Sequence, residues 1–180
     1  MINKITYLGQ KDLTSEITSL LENAFPVDER PPTPLFYQSL KRAGNQLYCY
    51  FNDNDFIGFA YVSLYQDVCY LFFLAVKEDK RHQGYGGFIL EDVKSSYQDK
   101  VILLGYEEVN EKYPNYDERK KREQFYLSHG FKDNKLRTNE FGVIYQTAYY
   151  GKRLVTYQEY QEVFKMGFGS AAAIYLKKAS

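Results

Sequence analysis

The chain has 180 residues and equal numbers of acidic and basic side chains, so its net formal charge is zero. Its length predicts a single domain over residues 1–180, and an apolar content of 44% suffices for a buried core, which excludes an intrinsically disordered chain. With no net charge, we expect neither nucleic acid nor a membrane as a partner, and an anionic ligand would need a local source of positive charge.

The two cysteines, Cys49 and Cys69, each lie within an apolar run, which predicts buried strand positions. A reduced pair is favoured over a disulfide between neighbouring strands. The sequence contains no CxxC motif and no Cys/His cluster, so no metal site is expected. The N-terminal segment has no apolar signal core, and no apolar run approaches the roughly 18 residues of a membrane span, which together predict a cytoplasmic protein.

Apolar spacing in the first half of the chain predicts a strand, two helices and three further strands. The predicted strands are 2–8, 46–51, 56–65 and 70–76, and the predicted helices are 13–24 and 35–43. Residues 52–55 (NDND) and 66–67 (QD) are typical of tight turns, so the last three strands should form an antiparallel meander.

In the second half, the pattern predicts helices after residue 88, at 117–129 and at 156–164, and strands at 101–104, 131–136 and 142–150. A last apolar segment covers 171–176. The strand–helix–strand unit that ends at 104 implies a parallel, right-handed crossover. The expected fold class is α/β, with a mixed central sheet in which an antiparallel meander precedes a parallel strand–helix–strand unit, and with helices on both faces.

The stretch 70–88 joins an apolar strand to a helix through the glycine-rich residues 83–87. Glycine lets the backbone approach a ligand, and a helix N-terminus carries partial positive charge, so this arrangement is typical of phosphate binding. The glycines lack the lysine of a Walker A loop, and Ile89 stands where a dinucleotide-binding loop has a small residue, so both of these sites are disfavoured. From spacing alone, a tight turn that serves only helix–sheet packing remains an alternative.

Two motifs resemble those of the GCN5-related N-acetyltransferases (GNAT). Residues 81–86 (RHQGYG) fit the signature [RQ]-x-x-G-x-[GA], and residues 125–131 (FYLSHGF) resemble the FYxxxGF element; the order of elements also agrees. The resemblance implies acetyl-CoA as cosubstrate, with the pantetheine arm along strand 70–76 and the pyrophosphate on backbone amides of the glycine loop. The implied cofactor-binding residues are Phe73, Leu74, Ala75, Val76, Arg81, His82, Gln83, Gly84, Tyr85, Gly86 and Gly87.

Local positive charge at this loop is expected from Lys77, Lys80 and Arg81, unless these residues form a solvated linker. His82 has the alternative of an exposed bystander beside the loop.

Acetyl transfer to an amine requires a deprotonated amine, a stabilised oxyanion and a proton for the leaving thiolate. The resemblance implies that Tyr126 lies by the cofactor sulfur as the acid, whereas without the motif it would be a packing residue. We predict Glu107 as the base, in preference to Glu108 or a chain of water molecules, and Glu108 as a substrate contact, because both follow strand 101–104. The alternative is two solvated loop acids. Glu29 and Arg30, in the loop between the first two helices, are predicted to contact substrate or else to form a surface pair.

Residues 122–126 (REQFY) resemble the R-x-x-FY element of a GNAT subgroup that also has a strand-end E-x-E pattern. Here Gly105 replaces the first glutamate and only Glu107 remains, which argues against a two-carboxylate site.

The predicted function is an acetyl-CoA-dependent N-acetyltransferase in which a primary amine of a small molecule or protein attacks directly in a ternary complex. The alternative is a non-catalytic CoA-binding or regulatory domain, supported only by Gly105. The C-terminal tyrosines are expected to pack, with an acceptor site or a homodimer interface as alternatives; they are Tyr145, Tyr149, Tyr150, Tyr157 and Tyr160.

Overall fold

The computed structural model describes residues 1–179, without the side chain of Asp12. The strands are β1 (Ile2–Thr6), β2 (Asn45–Asn52), β3 (Asp55–Tyr65), β4 (Val68–Val76), β5 (Val101–Glu107), β6 (Lys132–Glu140), β7 (Val143–Tyr150) and β8 (Leu176–Lys178). The helices are α1 (Lys11–Ala24), α2 (Thr33–Ser39), α3 (Tyr85–Ser96), α4 (Tyr116–Ser128), α5 (Tyr157–Phe168) and α6 (Ser170–Ala173), and a 3₁₀ turn covers Glu78–Lys80.

The strands form one sheet in the order β1-β2-β3-β4-β5-β7-β6-β8. Strands β4 and β5 pair in parallel, and the other pairs found in residues 1–179 are antiparallel. The predicted meander is confirmed as β2-β3-β4, with Asp53 and Gln66 in the left-handed region at its two turns. Helix α3 connects β4 to β5, so the predicted parallel unit and the α/β fold class are confirmed.

Helices cover both faces of the sheet, and the side chains of β4, which point alternately to the two faces, show this. Leu71 and Leu74 pack with α3 in one apolar cluster, whereas Tyr70 and Phe73 point to the opposite face. The helices on that opposite face are α1, α2 and α5. Helix α5 begins with a capping box, in which the Thr156 hydroxyl accepts from the Glu159 amide and the Glu159 carboxylate accepts from the Thr156 amide.

Strands β4 and β5 separate after a short parallel pairing, and this divergence positions the site. They pair from Val68↔Val101 to Leu71↔Leu104 and no further. Directly after that pairing, β4 has a bulge: Tyr61 of β3 pairs with Phe73 and Val62 with Leu71, which leaves Phe72 as the extra residue. Beyond the bulge, residues 72–76 keep β3 on one side but have no strand on the other.

Several predicted element boundaries were wrong. Strand β6 continues to Glu140 rather than ending at 136, because β7 pairs with it through Glu140↔Val143, and α5 continues to Phe168 rather than 164. Helix α2 covers Thr33–Ser39 rather than 35–43, because Pro34 is tolerated in a first helical turn, where no backbone N–H is needed. Strand β5 continues to Glu107 rather than ending at 104, because β7 pairs with it through Glu107↔Tyr145. Glu107 therefore ends a strand, and the predicted loop does not start there.

Both cysteines are free and buried, as predicted. Cys49 lies on β2 and Cys69 on β4, with β3 between them, and they belong to different apolar clusters. The disulfide alternative is therefore wrong. Burial raises the pKa of the Cys49 thiol to about 12. Within residues 1–179, the helices are all too short or too polar to cross a membrane.

The close approach of β3 to β4 depends on Gly58. A Cβ at this position would lie 2.2 Å from the Ala75 carbonyl oxygen, a backbone atom that cannot move aside without disturbing β4. We expect Gly58→Ala to lower the free energy of unfolding by about 1–3 kcal/mol, as overpacking does elsewhere. Urea unfolding followed by circular dichroism measures this change.

Gly86→Ala is the matched control, because its Cβ would meet its nearest neighbour, a Phe125 ring carbon, at 3.6 Å. This helical substitution should change stability by less than ~1 kcal/mol. Equal stability of both variants would contradict the steric account.

Candidate active site

The space between the diverging strands is a cavity of about 470 Å³. We call it the loop cavity. It is bordered by β4 beyond the bulge, by the glycine loop and by one face of α4. Its lining includes Phe73, Leu74, Ala75, Val76, Arg81, His82, Gly84, Gly86, Gly87 and Tyr126. Most of the predicted cofactor-binding residues thus border one space.

The glycine loop presents a helix N-terminus to this cavity. Gly84 caps α3 in the left-handed conformation, with φ of 83°, and His82 is also left-handed at 61°. The first bond of α3 that closes on the cap runs from the Phe88 amide to the Gly84 carbonyl, 3.0 Å away. The amides of residues 85–87 precede this bond and have no acceptor within the helix, so they can donate to an anion.

Of the three cations predicted to serve the loop, Arg81 lines the cavity and Lys80 is otherwise engaged. The Lys80 ammonium lies 2.5 Å from the Asp55 carboxylate, and the Arg81 Nε donates to the Val76 carbonyl at 3.3 Å. Lys77 lies 3.9 Å from Glu16. The positive potential at the loop therefore comes mainly from backbone amides and Arg81.

The glycines of the loop also allow α4 to pack closely on α3. A Cβ at Gly87 would lie 2.8 Å from the His129 imidazole, which is itself 2.7 Å from the Phe125 carbonyl. The glycines of this loop therefore serve helix packing, as the alternative proposed, and they also leave the N-terminus of α3 open to the cavity.

Glu107 forms an ion pair with Arg122, which lines the loop cavity. Glu107 is 3% exposed at the end of β5, and the Arg122 guanidinium donates to its carboxylate. Tyr126 follows Arg122 by one helical turn and lines the same cavity. Burial raises the pKa of the Tyr126 hydroxyl, which therefore keeps its proton at neutral pH.

Glu29 lies close to this pair, in the segment between α1 and α2. Burial and the negative charge of Glu107 raise the pKa of Glu29 to about 7, although the positive charge of Arg122 opposes the shift. A carboxyl group with this pKa can gain or lose a proton near neutral pH.

A second cavity of about 570 Å³ adjoins the first on the side of α2 and α5. We call it the aromatic cavity, after the rings of Phe72, Tyr145, Phe164 and Phe168 in its wall. The lining shared by both cavities consists of Glu29, Phe72, Phe73, Gly105 and Tyr145. The two cavities therefore meet where β4 and β5 separate, and Glu29 borders both.

Several predicted site residues lie elsewhere. The Gln83 amide donates to the Asp79 carbonyl at 3.0 Å, the Tyr85 hydroxyl accepts from Asn52 at 3.3 Å, and neither residue lines the loop cavity. Glu107 does not line it directly but acts on it through Arg122. Arg30 lines the aromatic cavity.

Glu108 lines neither cavity. Its carboxylate is held by Arg137 at 2.8 Å, Lys112 at 3.1 Å and the Tyr113 hydroxyl at 3.2 Å. With 3% and 7% exposure, Glu107 and Glu108 are buried, so the alternative of two solvated loop acids is wrong.

Sequence reasoning missed Glu140, the last residue of β6, which lines the aromatic cavity. Its strand, KDNKLRTNE, is largely polar, and no motif distinguishes this glutamate from the others. Tyr145 was among the tyrosines considered for the acceptor site, and it does border both cavities. Tyr160 is fully buried, as packing predicts.

The sequence profile of the acetyltransferase (GNAT) domain matches residues 43–133, which include β4, the glycine loop, β5 and α4. A comparison with curated protein sequences finds no significant match.

Solved structures share the fold at low sequence identity. A protein described as a GNAT-family acetyltransferase, from Bacteroides thetaiotaomicron, has a TM-score of 0.71 and 21% identity over 94% of this chain and 98% of its own. An aminoglycoside 6'-N-acetyltransferase in complex with coenzyme A has a TM-score of 0.68 and 14% identity over 86% of this chain and 99% of its own.

A GNAT-family acetyltransferase from Elizabethkingia anophelis with acetyl-CoA bound has a TM-score of 0.62 and 18% identity, covering 84% of this chain and 98% of its own. The profile match spans half of the sequence and includes both motifs. The chain therefore belongs to the GNAT acetyltransferase family.

Proposed function

We propose that the protein transfers an acetyl group from acetyl-CoA to a primary amine, by direct attack of the amine in a ternary complex. The observation that carries this proposal is the junction of the two cavities beside Glu29 and Gly105. One cavity leads to an anion-binding helix N-terminus and the other is an aromatic space of suitable size for a small acceptor. A donor and an acceptor bound in them would meet at the divergence of β4 and β5.

Donor binding is assigned to the loop cavity. The edge of β4 beyond Phe72 lacks a strand partner, so its backbone groups can bond the amide-rich pantetheine arm, except for the Val76 carbonyl, which accepts from Arg81. The amides at the start of α3, together with Arg81, would hold the pyrophosphate. Two of the structural neighbours carry CoA or acetyl-CoA on the same fold, which supports this cosubstrate.

Proton removal from the amine is assigned to Glu29. An alkylammonium group has a pKa of about 10, so at neutral pH the acceptor must lose a proton before attack. Glu29 borders both cavities, and its pKa of about 7 suits that task. Glu107, the base predicted from the sequence, already binds Arg122, so we favour it as the charge that raises the pKa of Glu29.

Tyr126 is proposed to protonate the departing thiolate, as expected from the sequence. Tyr126 lines the loop cavity, and the raised pKa of its hydroxyl keeps the proton available. The free backbone edge of β4 near Leu74 is the candidate for polarising the thioester carbonyl. Gly105, the observation that favours a non-catalytic CoA-binding domain, removes one carboxylate, but Glu29 supplies another at the same junction.

The test of this proposal is acetyl-CoA consumption, measured by thiol release, with a panel of primary amines. Wild-type protein should bind acetyl-CoA and release thiol with at least one amine. Tyr126→Phe should lower kcat by at least ~10-fold, because the acid is lost while the ring is retained. Tyr113→Phe, which changes a tyrosine outside both cavities, is the matched control.

Tight acetyl-CoA binding without thiol release across the panel would support the non-catalytic alternative. Unchanged kcat in Tyr126→Phe, with acetyl-CoA affinity intact, would remove this tyrosine from the acid role.

The role of Glu29 predicts a specific pH dependence. Glu29 must be deprotonated to accept a proton, so the plot of log(kcat/KM) against pH should steepen below about 7, the pKa of this group. Glu29→Gln should abolish this break. Glu107→Gln should move it to lower pH, because the negative charge of Glu107 raises the pKa of Glu29.

Profiles are measured with one amine at several fixed pH values, and circular dichroism confirms that each variant is folded. A break that persists unchanged in Glu29→Gln would assign the titration to another group.

A further inference from the structure

Glu140 differs from the other deeply placed carboxylates near the site because its partners are hydroxyl groups. Glu107 binds Arg122, and Glu108 binds Arg137 and Lys112. Glu140 accepts instead from the Tyr160 hydroxyl and from the Thr138 hydroxyl at 3.1 Å. Among the residues described, no lysine, arginine or histidine forms an ion pair with it.

The surroundings of Glu140 leave its charge uncompensated. Burial raises the pKa of Glu140 to about 7, and the hydrogen bonds from Tyr160 and Thr138 counteract only part of this shift. Glu140 nevertheless lines the aromatic cavity. A cation that entered this cavity would replace the missing positive partner and stabilise the charged form.

The wall of the cavity suits a cation with an apolar skeleton. Phe72, Tyr145, Phe164 and Phe168 supply aromatic surface, and the exposed rings of Phe141 and Tyr175 stack 5.3 Å apart. Aromatic faces attract ammonium groups as well as alkyl chains. The arginines of this wall are Arg30, in the segment between α1 and α2, and Arg42, in the turn between α2 and β2, whereas Glu140 belongs to β6.

A hydrogen-bond chain links Glu140 to the junction of the two cavities. Tyr160, which donates to Glu140, lies 2.9 Å from the Tyr70 hydroxyl. That hydroxyl lies 2.9 Å from the position that a Cβ on Gly105 would occupy. Because Gly105 has no side chain, the Tyr70 hydroxyl has space to lie beside it and to contact Tyr160. Two hydroxyl groups, those of Tyr160 and Tyr70, thus connect Glu140 to the side of Gly105.

We propose that Glu140 binds a second, non-reacting positive charge on the acceptor, so that the preferred acceptors are small diamines with an apolar chain. One amine would lie at the junction beside Glu29 and the other beside Glu140, with the chain along the aromatic wall. This inference rests on the proposed amine acetylation for its biological meaning, but the binding preference is measurable without any transfer.

The test is calorimetric titration with 1,4-diaminobutane and, as the matched monoamine, 1-aminobutane, in the presence of CoA, which carries no acetyl group. Wild-type protein should bind the diamine at least ~10-fold more tightly, as a charge-assisted hydrogen bond in a partly buried site allows. Glu140→Gln should reduce this advantage to less than ~3-fold. Glu111→Gln, an exposed glutamate outside both cavities, should behave as wild type.

Glu140→Asp keeps the charge and should retain part of the preference. CoA affinity, measured in a separate titration of each variant with CoA alone, reports whether the variant still folds around the donor site. Equal affinities of wild type for diamine and monoamine, or equal losses for both ligands in Glu140→Gln, would overturn the proposal.

Replacing CoA with acetyl-CoA separates this inference from the proposed function. Glu140-dependent diamine binding without acetyl transfer would refute the acetyltransferase proposal and leave the cation site intact. Acetylation of the diamine and the monoamine with equal kcat/KM, and with both values unchanged in Glu140→Gln, would support the acetyltransferase proposal and refute the cation site.

Discussion

The divergence of β4 and β5 after the Leu71↔Leu104 pair is the constraint on which the site depends. Buried backbone N–H and C=O groups need partners, so a strand edge that turns away from its neighbour must be covered by something else. Here the bulge at Phe72 separates the strands inside the sheet, between two helix-covered faces. The result is a cleft whose wall is unpaired backbone, which suits a ligand that itself carries amides.

The same divergence brings carboxyl groups of different character together. Glu107 ends β5 and is neutralised by Arg122, whereas Glu29 approaches from the α1–α2 segment and carries the raised pKa. Glu140 reaches the neighbouring cavity from β6 with hydroxyl partners alone. The aromatic cavity thus sets Asp28, Glu29 and Glu140 against Arg30 and Arg42, whereas the loop cavity presents helix amides and Arg81 to the proposed donor anion.

The pattern of residues along the sequence predicted those elements whose formation depends on residues close together in the chain. The meander followed from its two turns, and the glycine loop with α4 followed from two short motifs. The length of β5 was not predictable in this way, because its last residues are held by β7, about forty positions later in the chain. Without that pairing, Glu107 and Glu108 resemble loop acids, and their burial cannot be inferred.

Glu140 gave no sequence signal for a related reason. Its environment is made by Tyr160 from α5 and, through it, by Tyr70 from β4. Gly105 was recognised only as a departure from a family pattern, and its structural meaning, room for the Tyr70 hydroxyl, required the fold. Motifs therefore predicted residues that line the loop cavity, which we propose as the donor site, and tertiary contacts determine the aromatic cavity.

The most direct test of this account is amide hydrogen exchange with and without CoA, resolved to single residues. If the free edge of β4 binds the cofactor, CoA should slow exchange of amides within 72–76 that do not bond to β3, together with those at the start of α3. Protection confined to other parts of the chain, with unchanged exchange in β4, would contradict the claim that the diverging strands form the donor site.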